Sequence, residues 1–160
     1  MAEVYILLGG NVGDKSIILE QVLKLIGERI GFIEKMSSLY ATQSWGFESA
    51  PFWNKAIIVK TNLNPFEILS QTQAIERAMG RVKTSQNYED RIIDVDLLFY
   101  DHAQINTNEL SIPHSKIAER KFVLIPLNEI APDKCHPASG LKVHEMLELC
   151  TDKSDVERIV

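Results

Sequence analysis

An α+β fold, with an antiparallel sheet and helices on one of its faces, is the architecture this chain predicts. Two features point to it. The hydrophobic period alternates between two and 3.6 along the chain, in the order strand, helix, strand, strand, helix, strand. Glycine, proline, asparagine or aspartate stands at most of the changeovers. That order is the split βαβ arrangement of ferredoxin-like folds, whose helices pack on one side of the sheet and leave the other side to bind a ligand.

The elements follow in turn. Residues 3–8, Glu-Val-Tyr-Ile-Leu-Leu, read as a first strand. A glycine turn, Gly9-Gly10-Asn11-Val12-Gly13, comes next, and Asp14 is suited to cap a helix of about 15 residues. Leu19, Val22, Leu23, Ile26 and Ile30 make the apolar stripe of that helix, and Gly27 and Gly31 mark its end. Residues 33–42 and 53–61 read as two more strands, joined by a loop of about ten residues. Asn64 caps a second helix and Pro65 opens it. Its core stripe is Phe66, Leu69, Thr72, Ile75 and Met79, and Gly80 stops it. A strand over residues 91–98 is followed by a turn at Asp101-His102 and an extended piece to Ile105. Residues 122–130 read as a helix interrupted by Pro126, and residues 143–150 as a last short helix.

Length and composition narrow the class. At 160 residues the chain is expected to form one domain, residues 1–160, with a proper core. A net charge of −5 argues against nonspecific duplex binding, so no nucleic-acid partner is expected. No apolar run reaches the roughly 18 residues of a membrane span, and no basic leader with a cleavage site opens the chain. A cytoplasmic monomer without a membrane partner is expected. Cys135 and Cys150 are then free thiols by default.

The chemistry concentrates in Arg91-Ile92-Ile93-Asp94-Val95-Asp96-Leu97-Leu98. Side chains alternate faces along a strand, so Asp94 and Asp96 project to one side, roughly 7 Å apart, and Ile93, Val95 and Leu97 to the other. Two carboxylates so placed can hold one or two hard cations. A solvated strand face is the ordinary alternative, but aspartate is poor in strands and costly inside an aliphatic run without an ion. On the second helix, Gln73 and Glu76 share a face, and Arg77 and Arg81 follow one turn later. Lys83 lies just beyond, in front of a polar segment over residues 84–90 whose one apolar anchor is Tyr88. Such a segment is suited to close over a substrate. A solvated helix face is the plain reading of these charges. Cations directly before an aspartate pair are also what a metal-bound polyphosphate requires. Arg91 has the opposite parity from the two aspartates and joins them only if it precedes the regular strand.

Other candidates are weaker. Gly9 to Ser16 nearly matches a phosphate loop, but Asp14 stands where that motif has glycine and would face the phosphate, so a capped glycine turn is the better reading. Asn11 can still face a ligand from it. Pro113-His114 and Arg120-Lys121 add polar candidates. Phe52, Phe122 and Trp53 are ordinarily core residues, whereas Trp45 and Phe47 sit in a loop and can stack on a flat heterocycle. No serine or cysteine nucleophile with a paired histidine, and no Cys/His metal cluster, is recognisable.

Taken together, these motifs resemble the 6-hydroxymethyl-7,8-dihydropterin pyrophosphokinases of folate biosynthesis. The resemblance runs from Leu8-Gly9-Gly10-Asn11 through Ser37-Ser38-Leu39-Tyr40, Thr42, Gly46, Phe52-Trp53-Asn54, Gln73, Glu76, Gly80-Arg81, the Asp94-Val95-Asp96 strand, Pro113-His114, Arg120, Phe122 and Pro126-Leu127 to Ile130-Ala131-Pro132. Each match is short; their order and spacing are specific. The resemblance implies transfer of the pyrophosphoryl group of ATP, the co-substrate, to the pterin hydroxymethyl oxygen, releasing AMP. It implies two magnesium ions held by Asp94 and Asp96, with Arg81 and Arg91 neutralising charge at the transferred group. It implies an ATP site of Gln73, Glu76, Lys83, Tyr88, Leu97, His114, Ser115 and Arg120. It implies a pterin pocket of Gly9, Thr42, Trp45, Phe52, Asn54 and Phe122. Asp96 as proton acceptor and activation by magnesium alone both remain open for the pterin alcohol. The chain also departs from the pattern. Gly10 replaces the usual serine, Gln43 the usual proline, and Tyr88-Glu89-Asp90 the usual tryptophan, small residue and proline. Lys83 replaces a common arginine, which turns a bidentate phosphate contact into a point charge. A noncatalytic nucleotide- or pterin-binding module on the same fold is the alternative function, since fold alone does not set chemistry.

Overall fold

The computed structural model describes residues 1–43, 51–80 and 92–159. Its sheet is built from β1 (Ala2–Gly10), β2 (Phe32–Met36), β3 (Tyr40–Thr42), β4 (Phe52–Thr61), β5 (Asp94–Tyr100) and β8 (Val156–Arg158). A separate two-stranded ladder joins β6 (Ile105–Asn106) to β7 (Ser111–Ile112). The helices are α1 (Lys15–Arg29), α2 (Pro65–Ala78), α3 (Lys121–Ile130) and α4 (Val143–Leu149). Strand order is β5-β1-β4-β3-β8, with β2 also on β4, and every pairing is antiparallel. The α+β architecture expected from the sequence is therefore present.

Local chemistry sets the boundaries. The Asp14 carboxylate accepts the backbone N–H groups of Ser16 and Ile17 and so starts α1. Asn64 and Glu67 form a reciprocal capping box at α2, with Pro65 behind the cap. Gly80 ends that helix region at φ +91, a conformation that costs other residues more. The strand expected over residues 33–42 is instead two strands. Between them the Ser37 hydroxyl accepts the Ala56 N–H and donates to the Ser38 carbonyl, so a side chain replaces a ladder bond and the chain bends. β2 then pairs with the second half of β4 and β3 with the first half.

Alternation divides the sheet into two faces. Val4, Ile6 and Leu8 of β1, Ile57 and Val59 of β4, and Val95 and Leu97 of β5 point one way. They meet Ile18, Val22 and Ile26 of α1 and Ile68 and Ile75 of α2. Tyr5, Leu7, Ala56, Ile58 and Leu98 point the other way, against Val123, Leu124 and Leu127 of α3 and Val143 and Met146 of α4. Here three expectations are corrected. The second face is not bare: α3 and α4 cover much of it, because both are apolar enough on one side to need a partner. Pro126 does not interrupt α3, since it withdraws a single N–H from the ladder and is itself buried against the sheet. Ile68, not Phe66, completes the buried stripe of α2. The spacing 68, 72, 75 keeps one helical face inward, and Phe66 is 44% exposed in the first turn.

The turn after α1 shows how closely the layers approach. A Cβ added at Gly31 would fall on the backbone carbonyl of Lys60, which cannot move without breaking the β2–β4 ladder. Gly31→Ala is expected to cost about 2–3 kcal/mol, read as a lower urea midpoint at unchanged m-value. A midpoint within error of the parent would contradict this packing.

Candidate functional site

α3 and α4 stop short of one end of the second face, and a cavity of about 360 Å³ lies there. Strand parity decides what lines it. Leu7 and Gly9 of β1, Phe52 and Asn54 of β4, Thr42 of β3, and Asp94 and Asp96 of β5 all project into it. Asn54, Gly9 and Asp94 stand opposite one another in register, a single row across three strands. Two strand spacings make that row about 10 Å wide, which matches a flat bicyclic ring. Gly9 has to be glycine for this. A Cβ there would sit 2.5 Å from the Asn54 side-chain nitrogen and 3.3 Å from the Trp53 carbonyl oxygen. Arg120 and Phe122, at the start of α3, form the facing wall, with the guanidinium 5.7 Å from the ring centroid.

The lining mixes apolar surface with a few directed polar groups. One Asn54 amide N–H donates to the Leu8 carbonyl at 3.4 Å. Its carbonyl oxygen and second N–H remain for a ligand edge. The Thr42 hydroxyl is buried in the cavity wall with no hydrogen-bond partner among the described residues. A buried polar atom in that state costs roughly 1–3 kcal/mol until something satisfies it, so the site is built to be filled. Asp94 is half-buried and Asp96 exposed. Among the described residues, no group of three or more His, Cys, Asp or Glu side chains is arranged to hold a metal ion. Two carboxylates alone do not make a protein-only metal cage. They do suit magnesium, which keeps several waters and takes its remaining ligands from phosphate oxygens.

Of the residues expected at the site, the cavity brings together Gly9, Thr42, Phe52, Asn54, Asp94, Asp96, Arg120 and Phe122. Leu97 does not line the cavity: alternation turns its side chain into the core under α1 and α2, where it is 7% exposed. Gln73, Glu76, His114 and Ser115 do not line the cavity. Glu76 instead accepts the Val95 N–H at 2.9 Å and so anchors the start of the aspartate strand. His114 lies against the other edge of that strand and donates its N–H to the Leu98 carbonyl at 3.0 Å. Burial, reinforced by Arg120 and Lys116, holds its imidazole below the ordinary 6.5, so it is neutral at pH 7. Trp45, Arg81, Lys83, Tyr88 and Arg91 lie outside the described residues. Leu7, Gly10, Gln43 and Ser154 line the cavity without having been expected there. The parity of Gly9 would have found Leu7; nothing in the sequence signals Ser154.

Glu129 of α3 fastens the wall to the sheet. Its carboxylate accepts the Tyr40 hydroxyl at 2.7 Å, and the Ser38 N–H and hydroxyl at 2.9 and 3.0 Å. Burial pushes its pKa up, but these donors outweigh burial and hold it below 4.5. The stabilisation is complete above about pH 4.5 and is lost as pH falls through the depressed folded value. Glu129→Gln is expected to lower the melting temperature at pH 7 by about 2–4 °C and to make its acid decline shallower. An acid limb as steep as the parent's would refute that role.

Residues 5–132 match the family model described as 7,8-dihydro-6-hydroxymethylpterin-pyrophosphokinase (HPPK). The chain belongs to this family. Relatives named 2-amino-4-hydroxy-6-hydroxymethyldihydropteridine pyrophosphokinase include one from Porphyromonas gingivalis, 40% identical over 136 residues, covering 82% of this chain and 92% of the relative. Another, from Bacillus subtilis, is 37% identical over 159 residues, with 98% and 95% covered. A third, from Aquifex aeolicus, is 41% identical over 139 residues, with 86% and 85% covered. Among solved structures, the Plasmodium falciparum HPPK-DHPS with pteroate superposes at TM-score 0.76 and 17% identity over 92% of this chain. This chain spans 42% of that one, and the likeness speaks for the HPPK fold alone.

Proposed function

We propose that the cavity seats the pterin ring against the Asn54–Gly9 side of the row and receives the metal-bound phosphates of ATP at Asp94 and Asp96. The chain is an ATP-dependent pyrophosphokinase that converts 6-hydroxymethyl-7,8-dihydropterin to its diphosphate with release of AMP, in folate biosynthesis. The observation that carries the site assignment is the in-register row itself. It puts an amide with a free donor and acceptor two strand spacings from an aspartate, with only Gly9 and no side chain between them.

The chemistry needs alignment and charge neutralisation more than covalent help. The pterin hydroxymethyl oxygen attacks the β-phosphorus, the bond from that phosphorus to the α–β bridging oxygen breaks, and AMP leaves. Asn54 and Thr42 fix the ring edge, and Phe52 and Phe122 flank its faces, so the hydroxymethyl group is held toward the aspartates. Asp94 and Asp96 would hold two magnesium ions, which when bound supply charge neutralisation to both the attacking and leaving oxygens. Arg120 adds positive charge from the α3 wall. The alcohol proton would go to Asp96, the more exposed carboxylate, or to solvent where magnesium alone activates the alcohol.

The test is AMP formation with purified protein. Production that requires both the pterin and magnesium is the expected result. Tight binding of pterin and ATP without AMP would overturn the reading in favour of a noncatalytic module.

A further inference from the structure

The C-terminal strap, residues 150–159, lies beyond the stretch that matches the family model, yet it contributes to the cavity. It is fixed at two points. On one side β8 pairs with β3, setting Val156 opposite Thr42 and Arg158 opposite Tyr40, and the Ile159 N–H donates to the Leu39 carbonyl at 2.8 Å. On the other side Asp152 grips the start of α3. That helix has no side-chain cap from its own N-cap residue, Arg120. The Asp152 carboxylate supplies one from a distant part of the chain, accepting the Lys121 N–H at 3.0 Å. Lys121 sits between Arg120 and Phe122, the two residues that form the cavity's far wall.

The other oxygen of Asp152 accepts the Ser154 N–H at 2.9 Å and its hydroxyl at 2.6 Å. Ser154 lines the cavity. A serine hydroxyl has one proton to give, and here Asp152 takes it. What Ser154 offers the cavity is therefore only an acceptor lone pair. Its place just before the Val156–Thr42 pair puts it beside Thr42 and Gln43, on the ring side of the row.

We propose that Ser154 is a substrate-contacting residue that accepts a hydrogen bond from an N–H group of the bound heterocycle, and that Asp152 is the positioning residue that orients it and holds the α3 wall. This rests on the cavity being the pterin site. One carboxylate thus couples the strap, the wall and the ligand edge: losing it frees the Ser154 proton to rotate toward the cavity and uncaps α3 together.

Four proteins test the proposal: the parent, Ser154→Ala, Ser154→Thr and Asp152→Asn, each with its KM for pterin and for ATP, its kcat and its melting temperature. Ser154→Ala is expected to raise the pterin KM roughly three- to tenfold, with the ATP KM and kcat within about twofold. Ser154→Thr, which keeps the hydroxyl, should restore it. Asp152→Asn should move the pterin KM in the same direction, because one amide cannot accept all three donors. A purely structural role would lower the melting temperature and disturb both substrates alike, and that result overturns the proposal. So does an unchanged pterin KM in Ser154→Ala. Calorimetry of pterin alone separates this inference from the broader reading. A parent that binds pterin but forms no AMP loses the proposed activity only. A Ser154→Ala protein that binds pterin as tightly as the parent loses this inference, whatever the turnover. A parent that binds no pterin loses both.

Discussion

Asp96→Ala and Asp94→Ala are each expected to remove nearly all AMP formation, on the order of 10³-fold, while the melting temperature stays within a few degrees of the parent. The two halves of that expectation come from one feature. Alternation on β5 sends Val95 and Leu97 into the core under α1 and α2 and leaves the aspartates on the cavity side. At this end of β5 the packing is held by Val95 and Leu97, so truncating Asp94 or Asp96 leaves it in place. The chemistry is lost because two carboxylates are the whole acidic donor set among the residues lining the cavity. Removing either would leave a single carboxylate to hold metal-bound phosphates. Asp96→Asn keeps the shape and removes the charge, so it should be nearly as inactive as Asp96→Ala. Raising magnesium should recover part of the rate in the single variants. Near-parent rates in both alanine variants would remove the metal assignment.

Asn54→Ala is expected to weaken pterin binding by roughly 30- to 100-fold, the loss of two ligand hydrogen bonds, and to leave ATP binding within a few-fold. The residue is 7% exposed and faces the cavity, so water cannot easily replace the amide. Gly9→Ala should act in the same direction without touching the amide chemically. Its new Cβ would press on the Asn54 nitrogen from 2.5 Å, so either the amide or the β1–β4 ladder must shift. Calorimetry of each substrate separately reads both variants. Equal losses for ATP and pterin would count against placing the ring on this side of the row.

Much of this site could be read along the chain. The aspartate pair is visible because period two is a property of any strand: once residues 94–98 are extended, the shared face of Asp94 and Asp96 follows. The caps were legible for the same local reason. Asp14 and Asn64 act on N–H groups two or three residues away, and no distant element is needed to satisfy them. The break at Ser37 was not legible, because the partner that makes it, the Ala56 N–H, is 19 residues off. The facing of the Leu97 side chain was hidden for a different reason. A motif match carries no facing information, and strand parity, which does, turned it into the core. Ser154 and Asp152 left no trace in the sequence, since an isolated serine and aspartate near a C-terminus look like surface.

Order of elements, their ends and the two-sided character of each strand belong to the sequence, because propensity, capping and periodicity act over a few neighbouring residues. Which strands become neighbours, that Asn54, Gly9 and Asp94 fall into one row, and that α3 and α4 cover one half of a face and leave the other open belong to the tertiary structure. Those outcomes depend on register and on apolar surfaces finding partners far along the chain, and no local window of residues contains that information.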